Sequence, residues 1–229
     1  MTTTGKRQAL DRLVRMAARA LGRAGLAHAY GHCSARIDSA HFLVCAARPM
    51  ALIAPGEAGT AVPVNGPLPD GVLGEVRIHQ QIYKRRPEVG GICRTMPPHV
   101  MALSVLGSTP RPRHGFGAYF APAVPLWNDP LLLRGNAQAA RLAEMMGPSP
   151  AIAMRGNGAV TAAPTLQQAV VLNWYLEDAA RVELAVLQVA RSDGARLLTA
   201  DEAARRATGE GRIFERMWDY LCADDPEHM

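Results

Sequence analysis

The sequence predicts one mixed α/β domain, and three observations carry that expectation. Segments with apolar residues at three- and four-residue spacing alternate irregularly with short β-type runs along the chain. No internal repeat, low-complexity tract or shift in composition divides it. Its 229 residues are 48% hydrophobic and 20% charged, a balance that suits a buried core and excludes a disordered chain. Aromatic residues make up only 5% while Ala and Leu abound, so the expected core is aliphatic.

From the N-terminus, Leu10, Leu13, Val14, Ala17, Ala18 and Leu21 form one apolar face of a helix over 6–21, stopped by Gly22 and Gly25. Short β-type runs at 35–37, 42–45 and 51–54, separated by turn residues, predict a small meander. The Gly- and Pro-rich stretch 55–71 reads as a loop. A helix over 72–85 puts Val72, Val76, His79 and Tyr83 near one face, and Pro87 forces its end. Residues 89–93 read as a buried strand, 98–106 as a short helix, and the proline-punctuated stretch 109–130 as irregular. An amphipathic helix is expected over 136–146. Residues 151–154 and 159–161 flank the turn Arg155-Gly156-Asn157-Gly158 as a hairpin. Thr165 with Gln168 makes a capping box for a long helix to about residue 191. Thr199 with Glu202 opens another, and 213–221 closes the chain. The domain is taken as 1–229, with 199–229 a helical extension.

No apolar run approaches the roughly 18 residues needed to span a bilayer, and the N-terminus lacks a hydrophobic core with a small-residue cleavage site, so neither membrane nor export is expected. Cys33, Cys45, Cys93 and Cys222 show no CxxC spacing and are expected as reduced thiols, which fits a cytoplasmic protein. The net charge of +5 favours anions. The arginines are spread rather than clustered with aromatics, so nucleic acid is not an expected partner and a small anionic substrate is.

The densest information lies between Glu75 and Pro98. Glu75 and His79 stand four apart, on one face of a helix. Arg86-Pro87 then turns the chain into a strand that runs to Arg94 and Met96. Upstream lies the glycine-led loop Gly31-His32-Cys33-Ser34-Ala35-Arg36. Downstream lie Met154-Arg155-Gly156-Asn157-Gly158 and then Tyr175-Leu176-Glu177 with Ala179-Ala180. In this order and spacing, over about residues 8–190, the motifs resemble the class II aldolase/adducin family. The histidine in the first loop, the Arg155-Gly156 pair and the element Trp218-Asp219-Tyr220 resemble its branch of aromatic hydroxy-acid decarboxylases.

The resemblance implies a three-layer α/β/α fold around a mixed, largely antiparallel sheet. It implies a cyclic homotetramer with active sites in clefts between subunits. Gly31, Ser34 and Arg36 would belong to a loop that cradles the anionic end of the substrate, glycine allowing close backbone approach. Arg155 would be a further substrate contact and Glu75 the proton carrier. Family members hold a divalent ion on three histidines, and that ion stabilises the carbanion left when a C–C bond breaks. Here the three positions are Arg94, Met96 and Asn157. A guanidinium has no lone pair to donate, a thioether suits Cu(I), and an amide oxygen is a weak ligand, so no metal and no other cofactor is expected there.

Arg94 has two readings. As a fixed cation it would bind a carboxylate and stabilise a developing enolate. Otherwise it pairs with Glu75 and fills the vacated site, since an unpaired buried cation is too costly. Glu75 is correspondingly a general base or a counter-ion. His32 and His114 are candidate acid–base groups, His114 being equally readable as a solvated loop residue. Met96 and Asn157 would line the pocket, Asn157 also serving a hairpin where Asn and Gly tolerate positive φ. His79 reads as a satisfied structural histidine and His99 as exposed. Arg155 would touch substrate or hold the hairpin against Glu177.

Three functions follow. One is a metal-independent lyase acting through an enolate-type intermediate on a small anionic, aromatic or keto/hydroxy acid. A second is a non-catalytic interaction module or pseudo-enzyme subunit resembling the adducin head. A third is a metal-dependent aldolase or decarboxylase with relocated ligands.

Overall fold

The computed structural model describes residues 3–189 and 195–228. Helix α1 (Thr3–Arg23) is followed by strands β1 (His32–Arg36), β2 (His41–Val44) and β3 (Thr60–Pro63). Then come α2 (Arg77–Arg85), β4 (Gly91–Thr95), α3 (Pro98–Val105), β5 (Leu126–Trp127) and α4 (Asn136–Met146). The hairpin β6 (Ala151–Met154) and β7 (Ala159–Ala163) leads into α5 (Leu166–Val189), α6 (Ala200–Arg206) and α7 (Ile213–Cys222).

The strands form one sheet in the order β3-β2-β1-β4-β7-β6-β5. The β5–β6 pair is parallel and every other pair antiparallel, which makes the sheet mixed and largely antiparallel. Strand alternation sends Cys33, Ala35, Cys93 and Ala159 towards α1 and α5, and Phe42, Ile92, Ile152 and Val160 towards α2 and α4. The result is three layers, with α7 packed over α1 and α5. Both cores are aliphatic in the main, as the composition requires.

Several local expectations are corrected. Residues 51–54 do not form a strand: Met50–Leu52 is a 3-10 turn, and the third strand is Thr60–Pro63, inside the stretch expected as loop. Its Pro63 is tolerated because β3 is an edge strand. The segment 72–85 is not one helix, since Gly74–Val76 is a 3-10 turn before α2. A short parallel strand, β5, lies in the stretch expected to be irregular. The expected end of the long helix near residue 191 lies outside the described residues. Thr199 and Glu202 do form a reciprocal capping box. At the start of the long helix α5, Thr165 accepts from the Gln168 amide.

Candidate active site

The register of the sheet builds the site. His32 on β1 stands directly opposite Arg94 on β4, and Arg94 opposite Val160 on β7. Directly opposed residues share a face, so His32 and Arg94 both project towards the α2/α4 side. The β6–β7 turn brings Asn157 beside them, and the 3-10 turn before α2 brings Glu75. These residues line a cavity of about 680 Å³ together with Gly31, Met96 and a mouth formed by Tyr30, Arg48, Leu73, Leu132 and Arg134.

Two glycines shape its floor. Gly31 has φ 137°, and a Cβ there would stand 3.0 Å from the Arg94 carbonyl oxygen. Gly158 has φ 83°, and a Cβ would stand 1.9 Å from the Thr95 carbonyl oxygen. The β6–β7 turn packs against the end of β4 because Gly158 has no side chain, and the residue before β1 does so because Gly31 has none.

Arg94 is 2% exposed. Its Nη2 lies 3.1 Å from Glu75 Oε2 and donates to Asn157 Oδ1 at 2.8 Å. Burial pulls the guanidinium below its ordinary pKa, and Glu75 opposes that shift; arginine starts so high that it stays cationic. The ion pair is made through one nitrogen and leaves the cavity open. Three buried polar atoms of the lining have no hydrogen-bond partner: Arg94 Nε, Asn157 Nδ2 and His32 Nε2. Buried polar groups are paired in the great majority of cases, so these three atoms leave unmet hydrogen-bonding capacity in residues that line the cavity.

The position that the resemblance assigns to a divalent ion does not fit one. Arg94 offers no lone pair, and the Asn157 oxygen already accepts from Arg94. Met96 adds only a thioether. Among the described residues no group of three or more His, Cys, Asp or Glu is placed to hold a metal.

Of the residues singled out from the sequence, Gly31, His32, Glu75, Arg94, Met96 and Asn157 meet at this cavity. Four do not line it. Arg36 was expected at the substrate, yet its guanidinium donates to the Val89, Tyr83 and Arg86 carbonyls and lies 4.5 Å over the Tyr83 ring, tying β1 to the end of α2. Ser34 is buried behind the wall, bonded to His79 and Tyr83. His114 accepts from the Phe116 amide and stands 3.4 Å from Asp178. The Arg155 amide donates to the Trp127 carbonyl, while Glu177, its expected partner, instead caps α3 by accepting from the His99 and Val100 amides. Two further expectations change. Asn157 does not take positive φ, which falls to Gly156 and Gly158. His79 does not share the cavity face with Glu75, because the 3-10 turn separates them and His79 points into the core.

Sequence reasoning missed Arg48, Arg134 and the apolar rim of Tyr30, Leu73 and Leu132. They are scattered over loops, Leu132 and Arg134 sharing the one between β5 and α4, with no motif spacing to announce them. Arg134 packs its stem against Gly74, where a Cβ would come within 3.3 Å of it, and so overhangs the mouth.

The chain is similar to several known proteins. A 3,4-dihydroxyphthalate decarboxylase of Arthrobacter keyseri is 30% identical over 190 residues, covering 75% of this chain and 74% of that protein. Another, from Rhodococcus jostii, is 28% identical over 157 residues, covering 66% of this chain and 59% of its own length. An L-fuculose 1-phosphate aldolase from Glaciozyma antarctica superposes with a TM-score of 0.79 at 21% identity, covering 97% of this chain and 93% of that one, a likeness of fold. The Class II Aldolase and Adducin N-terminal domain family matches residues 12–184, and the chain belongs to that family.

Proposed function

We propose that the chain is a carbon–carbon lyase of the decarboxylase type, acting on a small hydroxylated aromatic acid of the phthalate class without a metal at the Arg94 position. The observation that carries this reading is Arg94 itself. A guanidinium fixed at the cavity floor, with Arg94 Nε and Asn157 Nδ2 both left without a protein acceptor, offers donors that a carboxylate or enolate would satisfy. The similar relatives are named for decarboxylation of 3,4-dihydroxyphthalate, an acid that would bring its anionic group to these donors and its ring to the rim of Tyr30, Leu73 and Leu132.

In the step proposed, a proton taken up from solvent and carried by Glu75, the carboxylate of the lining, adds to the ring carbon that bears the carboxylate. The ring–carboxylate bond then breaks, CO₂ leaves, and the electron pair returns to the ring and restores its aromaticity. Arg94 faces the negative charge that develops on the ring oxygen in this step. The resemblance also implies a homotetramer, and the 70% exposed Tyr30 at the cavity mouth supports an assembly in which a second copy completes the rim.

A metal-depleted preparation releasing CO₂ from 3,4-dihydroxyphthalate, with Arg94→Ala abolishing the release, is the expected result. A rate that appears only with added divalent ion would sink the metal-free reading. Absence of turnover and of any ligand response would favour the interaction-module reading, for which the Arg94–Glu75 pair already supplies the buried cation's counter-charge.

A further inference from the structure

Behind the cavity wall, Tyr83, Ser34, His79 and His32 form one buried polar chain. It has four contacts. The Tyr83 hydroxyl donates to the Ser34 carbonyl oxygen at 3.1 Å. Ser34 Oγ lies 3.0 Å from the Tyr83 oxygen and 2.6 Å from His79 Nδ1. His79 Nε2 lies 2.9 Å from His32 Nδ1.

Counting hydrogens assigns the direction of this chain. Each of the four neutral side chains brings one hydrogen. The carbonyl has none, so the tyrosine hydrogen goes there. The contact between Ser34 Oγ and Tyr83 then takes the serine hydrogen. His79 must therefore donate from Nδ1 to Ser34, and His32 from Nδ1 to His79. All four contacts are satisfied, and His32, a residue of the cavity lining, keeps a lone pair on Nε2, which has no protein partner. The reverse order leaves two oxygen lone pairs facing each other and buries an unpaired N–H, each costly. Arg94, directly across the strand pair, favours a lone pair over a second N–H as its neighbour.

We propose that Tyr83, Ser34 and His79 are positioning residues that hold His32 as a hydrogen-bond acceptor. The cavity then selects a substrate bearing a hydroxyl hydrogen for His32 next to an anionic group for Arg94 and Asn157. This deepens the reading under Proposed function and rests on it for the phthalate class. Burial, followed by the two neighbouring cationic or ionisable groups His79 and Arg94, holds His32 far below the usual histidine range, in keeping with a neutral imidazole.

The test uses the full chain labelled with ¹⁵N-histidine, titrated with phthalate, with 3- and 4-hydroxyphthalate and with their methyl ethers. The expected spectrum of the free protein has His32 Nε2 unprotonated and Nδ1 protonated, and Ser34→Ala mixes the two tautomers. One hydroxyphthalate should bind about tenfold more tightly than its methyl ether, the value of one hydrogen bond. Ser34→Ala should erase that preference while phthalate itself binds as before. A protonated Nε2 in the free protein overturns the proposal. So does a methyl ether binding as tightly as its phenol, or a preference that survives Ser34→Ala. If no acid binds while Nε2 is unprotonated, the tautomer is supported and the phthalate class is what falls.

Discussion

The Arg94 guanidinium donates to the Asn157 amide oxygen across 2.8 Å, tying the end of β4 to the β6–β7 turn at the cavity floor. Both residues occupy positions where the family resemblance places histidines. Their bond gives the site a fixed cation with a fixed direction.

Replacing Arg94 should therefore separate charge from geometry. Arg94→Ala should lower kcat by ~100-fold or more, the usual loss when a preorganised donor is removed from a developing anion. Arg94→Lys keeps the charge but not the fork, and should recover only part of the rate, because a lysine cannot bond Asn157, Glu75 and a ligand in one plane. Steady-state CO₂ release on 3,4-dihydroxyphthalate checks both. A lysine variant as fast as the parent would mean that the fork has no role, and one as slow as Arg94→Ala would mean that charge alone contributes nothing.

Gly158 offers a test of the turn that carries Asn157. An alanine there would need a left-handed backbone and would place its Cβ 1.9 Å from the Thr95 carbonyl. The conformation alone costs about 1–2 kcal/mol, and the clash adds to it by forcing the turn away from β4. Gly158→Ala should lower stability by more than ~2 kcal/mol and weaken acid binding. Denaturant unfolding and calorimetry read the two effects.

The buried histidines set a pH dependence. Burial, then Arg94, pulls the pKa of His79 from 6.5 to about 3. The unfolded chain therefore takes up a proton below pH 6.5 that the folded chain refuses until about 3. Between those limits the unfolded state binds more protons, so stability falls as pH falls. At pH 5 the loss from His79 is ~2 kcal/mol relative to neutral pH. His79→Gln removes this titration but keeps a hydrogen-bonding side chain. Its stability deficit against the parent should thus shrink by about that amount between pH 7 and pH 5, as followed by urea unfolding. A deficit independent of pH would show that His79 charges freely in the folded protein.

The sequence made some of this legible and hid the rest for identifiable reasons. Amphipathic periods exposed α1 and α4, and capping signals announced α5, at Thr165 with Gln168, and α6, at Thr199 with Glu202. The edge strand β3 was masked by its Pro63 and neighbouring glycines, and β5 is only two residues long. Glu75, Arg94, Met96 and Asn157 were readable as a group because motif order placed them together. That Arg36 would turn to three backbone carbonyls was not readable, since its partners lie about 50 positions away in sequence. The opposition of His32 and Arg94 depends on strand register, which no local pattern specifies.

The C-terminal segment is fastened to α1 by a buried ion pair, and its removal should be felt globally. Arg19 binds Asp225 through two nitrogens, at 2.8 and 2.7 Å, and gives its remaining nitrogen to the Ile53 carbonyl. Both side chains are nearly inaccessible, and Arg23 adds a second contact to Asp225. Such a pair is weak evidence of net stability, because taking two charges out of water opposes their attraction. Deleting one partner is different, since it strands the other charge. Asp225→Ala should thus destabilise by up to ~3 kcal/mol, less than a fully stranded charge costs, because Glu227 still lies 2.7 Å from Arg19. Adding Arg19→Met should restore part of the loss by removing a buried cation that has lost one of its two carboxylates. Chemical denaturation of the single and double variants measures this, and a double variant no more stable than Asp225→Ala would show that the cost lies in lost packing of the tail rather than in the exposed charge.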